Sequence, residues 1–234
     1  MDQVSLSITN LRADLGTVDY ALSLDLQRKL VRLRKEERIG NTILFLEHNP
    51  VYTIGRKHDP GNYPHINPVV TERGGDITYH GPGQIVTYMI FDTRVNGKRD
   101  VGKLLHDVEN AVIGAAAICG FRLHVGSEPG FWFGDKKVGS LGMAMDDYVS
   151  FHGISLNYDP RVLDGFKRIR PCGLPPEVMD YIPVEPELFR ENMTEMLSRI
   201  YGKFRQVDYD YILSLVSGYN TNIPEPLGDT KSLV

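Results

Sequence analysis

Apolar residues recur along the chain with two periods, one helical and one alternating. Between Val18 and Arg38, Leu22, Leu26, Leu30 and Leu33 fall four, four and three residues apart, which predicts a helix capped by Thr17 and ended by Gly40. Lys29, Arg32, Arg34, Lys35, Glu36 and Glu37 mark its solvated face. Short apolar runs at Thr42 to Glu47 and Val51 to Gly55, broken by Asn49-Pro50, read as strands, and Ile85 to Phe91 reads as a buried one. Val101 to Ile118 is a second helix, with Leu104, Leu105, Val108, Val112, Ala115, Ala116 and Cys119 on its apolar side and Gly120 as its stop. Strands follow at Phe121 to Val125 and Val149 to Asn157, with a hairpin between them that joins Phe131–Phe133 to Lys137–Met145 through Gly134-Asp135. Period-2 alternation puts Lys137, Gly139, Leu141 and Met143 on one face of that hairpin and Val138, Ser140 and Gly142 on the other. A helix from Pro186 to Ile200 with Leu188, Met193, Met196, Leu197 and Ile200 inward, and a short one from Asp208 to Val216, complete the pattern. His58 to Asn67 and the stretch from Asp159 to Leu174 read as loops. Residues 1–219 form one domain, and 220–234 read as a mobile tail.

Composition narrows the function classes. A net charge of -4 leaves no footprint for nucleic acid, and no run of eighteen apolar residues spans a membrane. Met1 to Asn10 lacks the basic and then apolar pattern of a secretory signal, so the expected location is cytoplasmic. In that compartment Cys119 and Cys172 are free thiols by default. Cys119 lies among small residues on a helix stripe, the place of an inert hydrophobe.

The densest chemistry lies in Arg73 to Gln84, where four glycines and a proline are interleaved with arginine, tyrosine, histidine and glutamine. It matches neither common nucleotide-binding glycine motif. Cys172 has a different setting: it follows a proline, precedes a glycine and has Arg168 and Arg170 nearby, which favour the reactive thiolate. Its bland alternative is an ordinary loop cysteine. A thiol of pKa about 8.5 needs help at neutral pH, commonly from a histidine. His48, His80 and His152 show no metal-ligand spacing, so no metal is expected. The basic segment Thr93 to Lys103, with Arg94, Lys98, Arg99 and Lys103, is either solvated surface or a dock for an acidic partner.

Arg73-Gly74-Gly75, Thr78-Tyr79-His80 and Gly83-Gln84 followed by Tyr88 resemble the signature of the lipoyl(octanoyl) transferase family. Leu46-Glu47-His48, Val51 to Arg56, Lys137 to Gly142 and Arg170 to Leu174 extend the likeness. The resemblance implies an α/β fold shared with lipoate and biotin protein ligases, a mostly antiparallel mixed sheet packed by helices. It implies a dyad of Cys172 as acylated nucleophile and Lys137 as the group that lowers its pKa, with no cofactor. By the same likeness Arg73, Gly74, Gly75, Asp76, Ile77, Thr78, Tyr79, His80, Ser140, Leu141, Gly142, Gly153, Ile154 and Ser155 line an acyl pocket. The implied donor is octanoylated acyl carrier protein, and the implied acceptors are lipoyl domains of 2-oxoacid dehydrogenase complexes and the glycine cleavage H protein. Burying an eight-carbon chain would contribute on the order of 5 kcal/mol, which prefers a chain length without enforcing it. Backbone amides near Gly173 or in the Gly74-Gly75 turn are the candidate oxyanion donors. His80 can orient a neighbour, contact the acyl group or help bind the attacking lysine; its bland alternative is a satisfied core histidine. The rival functions are an ATP-dependent lipoate ligase and a non-catalytic acyl- or carrier-binding module.

Overall fold

The computed structural model describes residues 8–57, 59–126 and 128–218; the predicted tail from 220 lies outside them. The order is β1 (Asn10–Val18), α1 (Tyr20–Lys35), β2 (Thr42–His48), β3 (Val51–Ile54), β4 (Val69–Val70), β5 (Thr78–His80), β6 (Gln84–Ile90), β7 (Arg94–Val95), β8 (Lys98–Arg99), α2 (Val101–Ile118), β9 (His124–Val125), β10 (Phe131–Phe133), β11 (Lys136–Asp146), β12 (Val149–Asn157), α3 (Leu163–Phe166), α4 (Pro186–Tyr201), β13 (Phe204–Val207) and α5 (Tyr209–Val216). Eight strands form the main sheet in the order β13-β1-β2-β6-β12-β11-β10-β9. Only the β13-β1 and β1-β2 pairs in it are parallel, so the mixed, mostly antiparallel α/β architecture is as expected. β3, β4 and β5 make a small second sheet, and β7 and β8 a two-strand ribbon.

Both faces of the main sheet are covered. On one, Leu44, Leu46, Val86, Tyr88 and Ile90 pack on Leu24, Leu30, Val31 and Leu33 of α1 and Ile212 and Val216 of α5. On the other, Ile43, Phe45, Ile85, Met89 and Phe91 meet Val108, Val112 and Ala115 of α2 and Phe189, Met193 and Leu197 of α4. Central strands buried on both faces explain why β2 and β6 read as continuous apolar runs. A third cluster, with Ile54, Ile77, Tyr79, Val162, Phe166 and Ile169, joins the small sheet to the loops after β12.

Several local expectations shift. Thr17 and Val18 belong to β1, and the cap of α1 is Asp19, whose carboxylate accepts from the Ala21 and Leu22 amides. Leu22 is exposed, and so are Leu188 and Ile200 of α4, because Leu24, Val31 and Phe189 hold the inward positions instead. The segment predicted as a strand from Phe121 contracts to β9, and the loop after Asp159 winds into α3. β1 and β13 carried no strand signal that survived their charged residues; their pairing to each other fixes them.

The hairpin β10–β11 departs from strict alternation. Phe131 pairs with Gly139 and Trp132 with Lys137, so Val138 is an extra residue, a bulge. Gly139 and Leu141 face Phe131, Ile154 and Leu156 in the α2–α4 core, as alternation requires. Lys137 is turned to the opposite face, that of Ser140 and Gly142, rather than sharing a face with Gly139 as predicted.

Candidate active site

A cavity of about 730 Å³ opens beside β5, β11 and β12. Arg73 to Thr78, His80, Lys137, Ser140 to Gly142, Gly153 to Ser155 and Cys172 all line it. Of the predicted pocket residues only Tyr79 does not. Alternation along β5 sends its ring away to Tyr52 and Phe166, where it packs over Gly165. Tyr20, Tyr88, Met143, Met145, Glu128 and His152 also line the cavity. Sequence reasoning gave Tyr20 and Met145 no role, since nothing local distinguishes a cavity wall from a core position.

Arg73 ties the glycine-rich loop together from inside. Its guanidinium is buried and donates to Thr53 O at 2.7 Å, Asp76 O at 2.7 Å and Gly74 O at 3.0 Å, so its carbonyl acceptors fix the turn's shape. Gly55 lies against that turn; a Cβ there would stand 2.7 Å from Arg73 O. Asp76 is structural as well, accepting from Asn62 Nδ2 at 2.6 Å. Asn62 O in turn accepts from the Arg170 amide at 2.7 Å. This relay fastens the Cys172 turn to the glycine-rich loop, two segments almost a hundred residues apart in sequence.

Cys172 itself is half-buried and adopts φ 53°, ψ 31°, a left-handed conformation that non-glycine residues rarely hold. Gly173 follows at φ 77°, where a side chain would add strain. The Pro171–Gly173 turn closes with Gly173 N–H to Arg170 O at 2.9 Å. The Gly74 amide is likewise taken, by Met143 O at 3.0 Å, whereas the Gly75 amide has no acceptor among the described residues.

Lys137 is 1% exposed. Burial lowers its pKa, and the neighbouring Cys172 and then Glu128 pull it partly back up. Its ammonium stands 5.9 Å from the Trp132 ring centroid. The backbone of Lys137 is held by Asp180, whose amide donates to Lys137 O at 2.9 Å. Lys136, which a one-residue shift of the hairpin would put in its place, reaches outward to Glu177 O at 2.8 Å.

His80 heads a buried chain of hydrogen bonds. Its Nδ1–H donates to Gln84 Oε1 at 2.6 Å, Gln84 Nε2 donates to Asn157 Oδ1 at 2.9 Å, and Asn157 Nδ2 donates to Asp180 O at 2.9 Å. Asp180 is the residue that holds Lys137, so the histidine and glutamine of the motif brace the lysine strand from below. Burial, and next the neighbouring His48, push the His80 pKa down to about 3, so the ring is neutral and cannot gain a proton at ordinary pH. His48 is also lowered by burial; it donates from Nδ1 to Val18 O at 2.7 Å and accepts from Tyr88 Oη at 2.7 Å. Among the described residues no cluster of three or more potential ligands could hold a metal.

Comparison with known proteins gives this geometry a family. Residues 19–198 match the lipoyl protein ligase A/B catalytic domain. The chain is 39% identical over 190 residues to the octanoyltransferase of Citrifermentans bemidjiense, covering 79% of this chain and 92% of that one. It is 37% identical over 171 residues to a mitochondrial octanoyltransferase of Arabidopsis thaliana, covering 68% and 72%. Among solved structures, a lipoate-protein ligase A bound with ATP superposes with a TM-score of 0.67 at 15% identity, covering 89% of this chain and 93% of that one. A bi-partite lipoate protein ligase of Thermoplasma acidophilum gives 0.61 at 14%, covering 89% and 91%; both likenesses concern the fold alone. With four-fifths of its length aligned at this identity and Cys172 and Lys137 on one cavity, the chain belongs to the octanoyltransferases of the lipoyl protein ligase A/B catalytic domain family.

Proposed function

We propose that the protein transfers an octanoyl group from octanoylated acyl carrier protein to a lysine of lipoyl domains, through a thioester on Cys172. The observation that carries this reading is the meeting on one cavity of Cys172 and the buried Lys137, whose charge the neighbouring thiolate would favour. Burial favours the neutral amine, which accepts a proton from the Cys172 thiol as the sulfur attacks the donor's thioester carbonyl. The bond between that carbonyl and the carrier's sulfur breaks, and Lys137 returns the proton to the departing thiolate. In the second half, the acceptor amine attacks the Cys172 thioester and gives its proton to Lys137. The sulfur then leaves as a thiolate beside the ammonium just formed. The Gly75 amide is our candidate oxyanion donor, since the Gly74 and Gly173 amides are already bonded.

The cavity wall suits the acyl chain. Ser140, Gly142, Gly153 and Ser155 line it with nothing larger than a serine side chain, and a Cβ on Gly142 would meet Gly74 O at 3.1 Å. We place the reaction in the cytosol, whose reducing conditions keep the thiol free; no helix among the described residues is long and apolar enough to cross a membrane.

Intact-mass analysis after incubation with octanoylated carrier protein, without ATP, tests the reading. The expected product is enzyme heavier by one octanoyl group, and none with Cys172→Ser. Transfer that requires ATP and releases AMP from wild type would instead assign the ligase chemistry of the structural neighbours. An adduct that persists in Cys172→Ser removes this thiol from the mechanism.

A further inference from the structure

The main sheet changes its pairing partner beside Lys137. β12 runs against β11 only as far as Leu156 opposite Gly139, and the same register would next set Tyr158 opposite Lys137. The Tyr158 amide is instead bonded to Gly83 O at 2.9 Å. Its place is taken by the segment that follows Cys172: Met179 forms a parallel bridge with Lys137, and the Asp180 amide donates to Lys137 O at 2.9 Å. Lys136 Nζ adds a further link, to Glu177 O at 2.8 Å.

Met179 follows Cys172 by only seven residues, and little of that length is free to flex. The Gly173 and Leu174 amides close on Arg170 O and Pro171 O at 2.9 and 3.0 Å, and the Val178 and Met179 amides close on Pro175 O and Pro176 O at 3.1 and 3.0 Å. Both prolines fix their own φ, and Pro175 is held extended, at ψ 141°, by the proline after it. Beyond Met179 the segment is clamped by Asn157, which is 1% exposed. Asn157 Nδ2 donates to Asp180 O at 2.9 Å, its Oδ1 accepts from Gln84 Nε2 at 2.9 Å, and its backbone O accepts from the Ile182 amide at 3.0 Å. Met179 belongs to the apolar cluster of Phe166 and Ile169, on the loop that leads to Cys172, while Ile182 and Val184 are sunk in the α2–α4 core.

We propose that residues 174–182 form a spacer that sets the approach of Cys172 to Lys137, with Asn157 as its positioning residue. The inference rests on the dyad of the transferase reading and adds to it the part that holds the two members together. They sit on different elements, so a proton passing between them needs a connection that is short and stiff. The spacer is one: it begins at the turn that carries the sulfur and ends in backbone bonds to the lysine. A misplacement of about 1 Å can cost a reaction about 100-fold. Without the Asn157 amide the Asp180 carbonyl loses its donor, and the spacer loses its hold beside Lys137.

The test is a double-mutant cycle on the alkylation of Cys172 by iodoacetamide, read by mass on the peptide that holds it, over a range of pH. Asn157→Asp keeps the acceptor for Gln84 and deletes the donor to Asp180 O. It should slow alkylation at pH 7 about fivefold, less than Lys137→Met does, and move the pH profile toward the ordinary thiol value of about 8.5. In the Lys137→Met background the same change should leave the rate within about twofold, because a residue that acts only through the lysine has nothing left to act on. Pro175→Gly, at an exposed position of the spacer, repeats the cycle with the core intact and decides alone if the buried carboxylate unfolds the chain. An equal fall in both backgrounds would make Asn157 a structural residue only and overturn the assignment, and so would full reactivity of both variants with Lys137 present. Alkylation that Lys137→Met leaves unchanged would instead defeat the dyad itself, whatever the spacer does.

Discussion

Lys137 holds an ionisable group almost wholly out of water. Burial lowers its pKa, so the unfolded chain binds the proton more tightly than the folded one. The sign follows: the folded state is penalised at neutral pH, and the penalty lifts as pH rises toward the ordinary lysine value of about 10.4. Lys137→Met keeps the volume and deletes the charge. It should raise the thermal midpoint at pH 7 by roughly 2–4 °C while slowing alkylation of Cys172 at pH 7 about tenfold or more. Calorimetry and iodoacetamide kinetics check the two halves; an unchanged alkylation–pH profile would dissolve the dyad. At this scale the sequence was informative, since Pro171-Cys172-Gly173 and Lys137 could be singled out from their neighbours. Their meeting could not, because it depends on the relay from Asp76 through Asn62 to Arg170.

At the scale of the element, the bulge at Val138 decides which lysine faces the cavity. Period-2 reasoning put Lys137 with Gly139 and Leu141; a single extra residue reversed it. Bulges leave no reliable mark in hydrophobic pattern, and here Val138 is as apolar as a core strand residue should be. Gly130 supports this local shape at φ 135°, with Gly139 O and Lys137 Cε, the latter 2.9 Å away, where a Cβ would go. Gly130→Ala should therefore push the lysine aside, cutting acylation about 100-fold and costing at least about 1 kcal/mol of stability. Urea unfolding and single-turnover acylation measure both; full activity would show that the hairpin tolerates the change. Helices fared better than strands under sequence reasoning, since α2 runs from Val101 to Ile118 as predicted. The heptad-like spacing of α1 misplaced only Leu22, by ignoring Leu24 and Val31.

Across the whole molecule, buried imidazoles join the site to the core. His48, His80 and His152 all have pKa values lowered chiefly by burial, so the unfolded chain takes up protons that the native state refuses. Stability should be greatest above about pH 6.5 and fall as pH drops below it, with each such histidine contributing up to about 1.4 kcal/mol per pH unit. His80→Gln should flatten that slope between pH 6 and 4, as read from urea midpoints; an identical slope would mean that His80 is protonated in the native state. The amino-acid order alone settled whatever depends on neighbours along the chain: the long helices, a glycine-rich loop that must bend, and a cysteine held between proline and glycine. Only the tertiary structure decided the pairing of β1 with β13, the outward turn of Tyr79, the reversal of Lys137, and the chain of bonds from His80 to the lysine strand. The reason is physical: these features arise from bonds and packing between segments tens to nearly two hundred residues apart, and a local pattern carries no record of which distant carbonyl will accept a given donor.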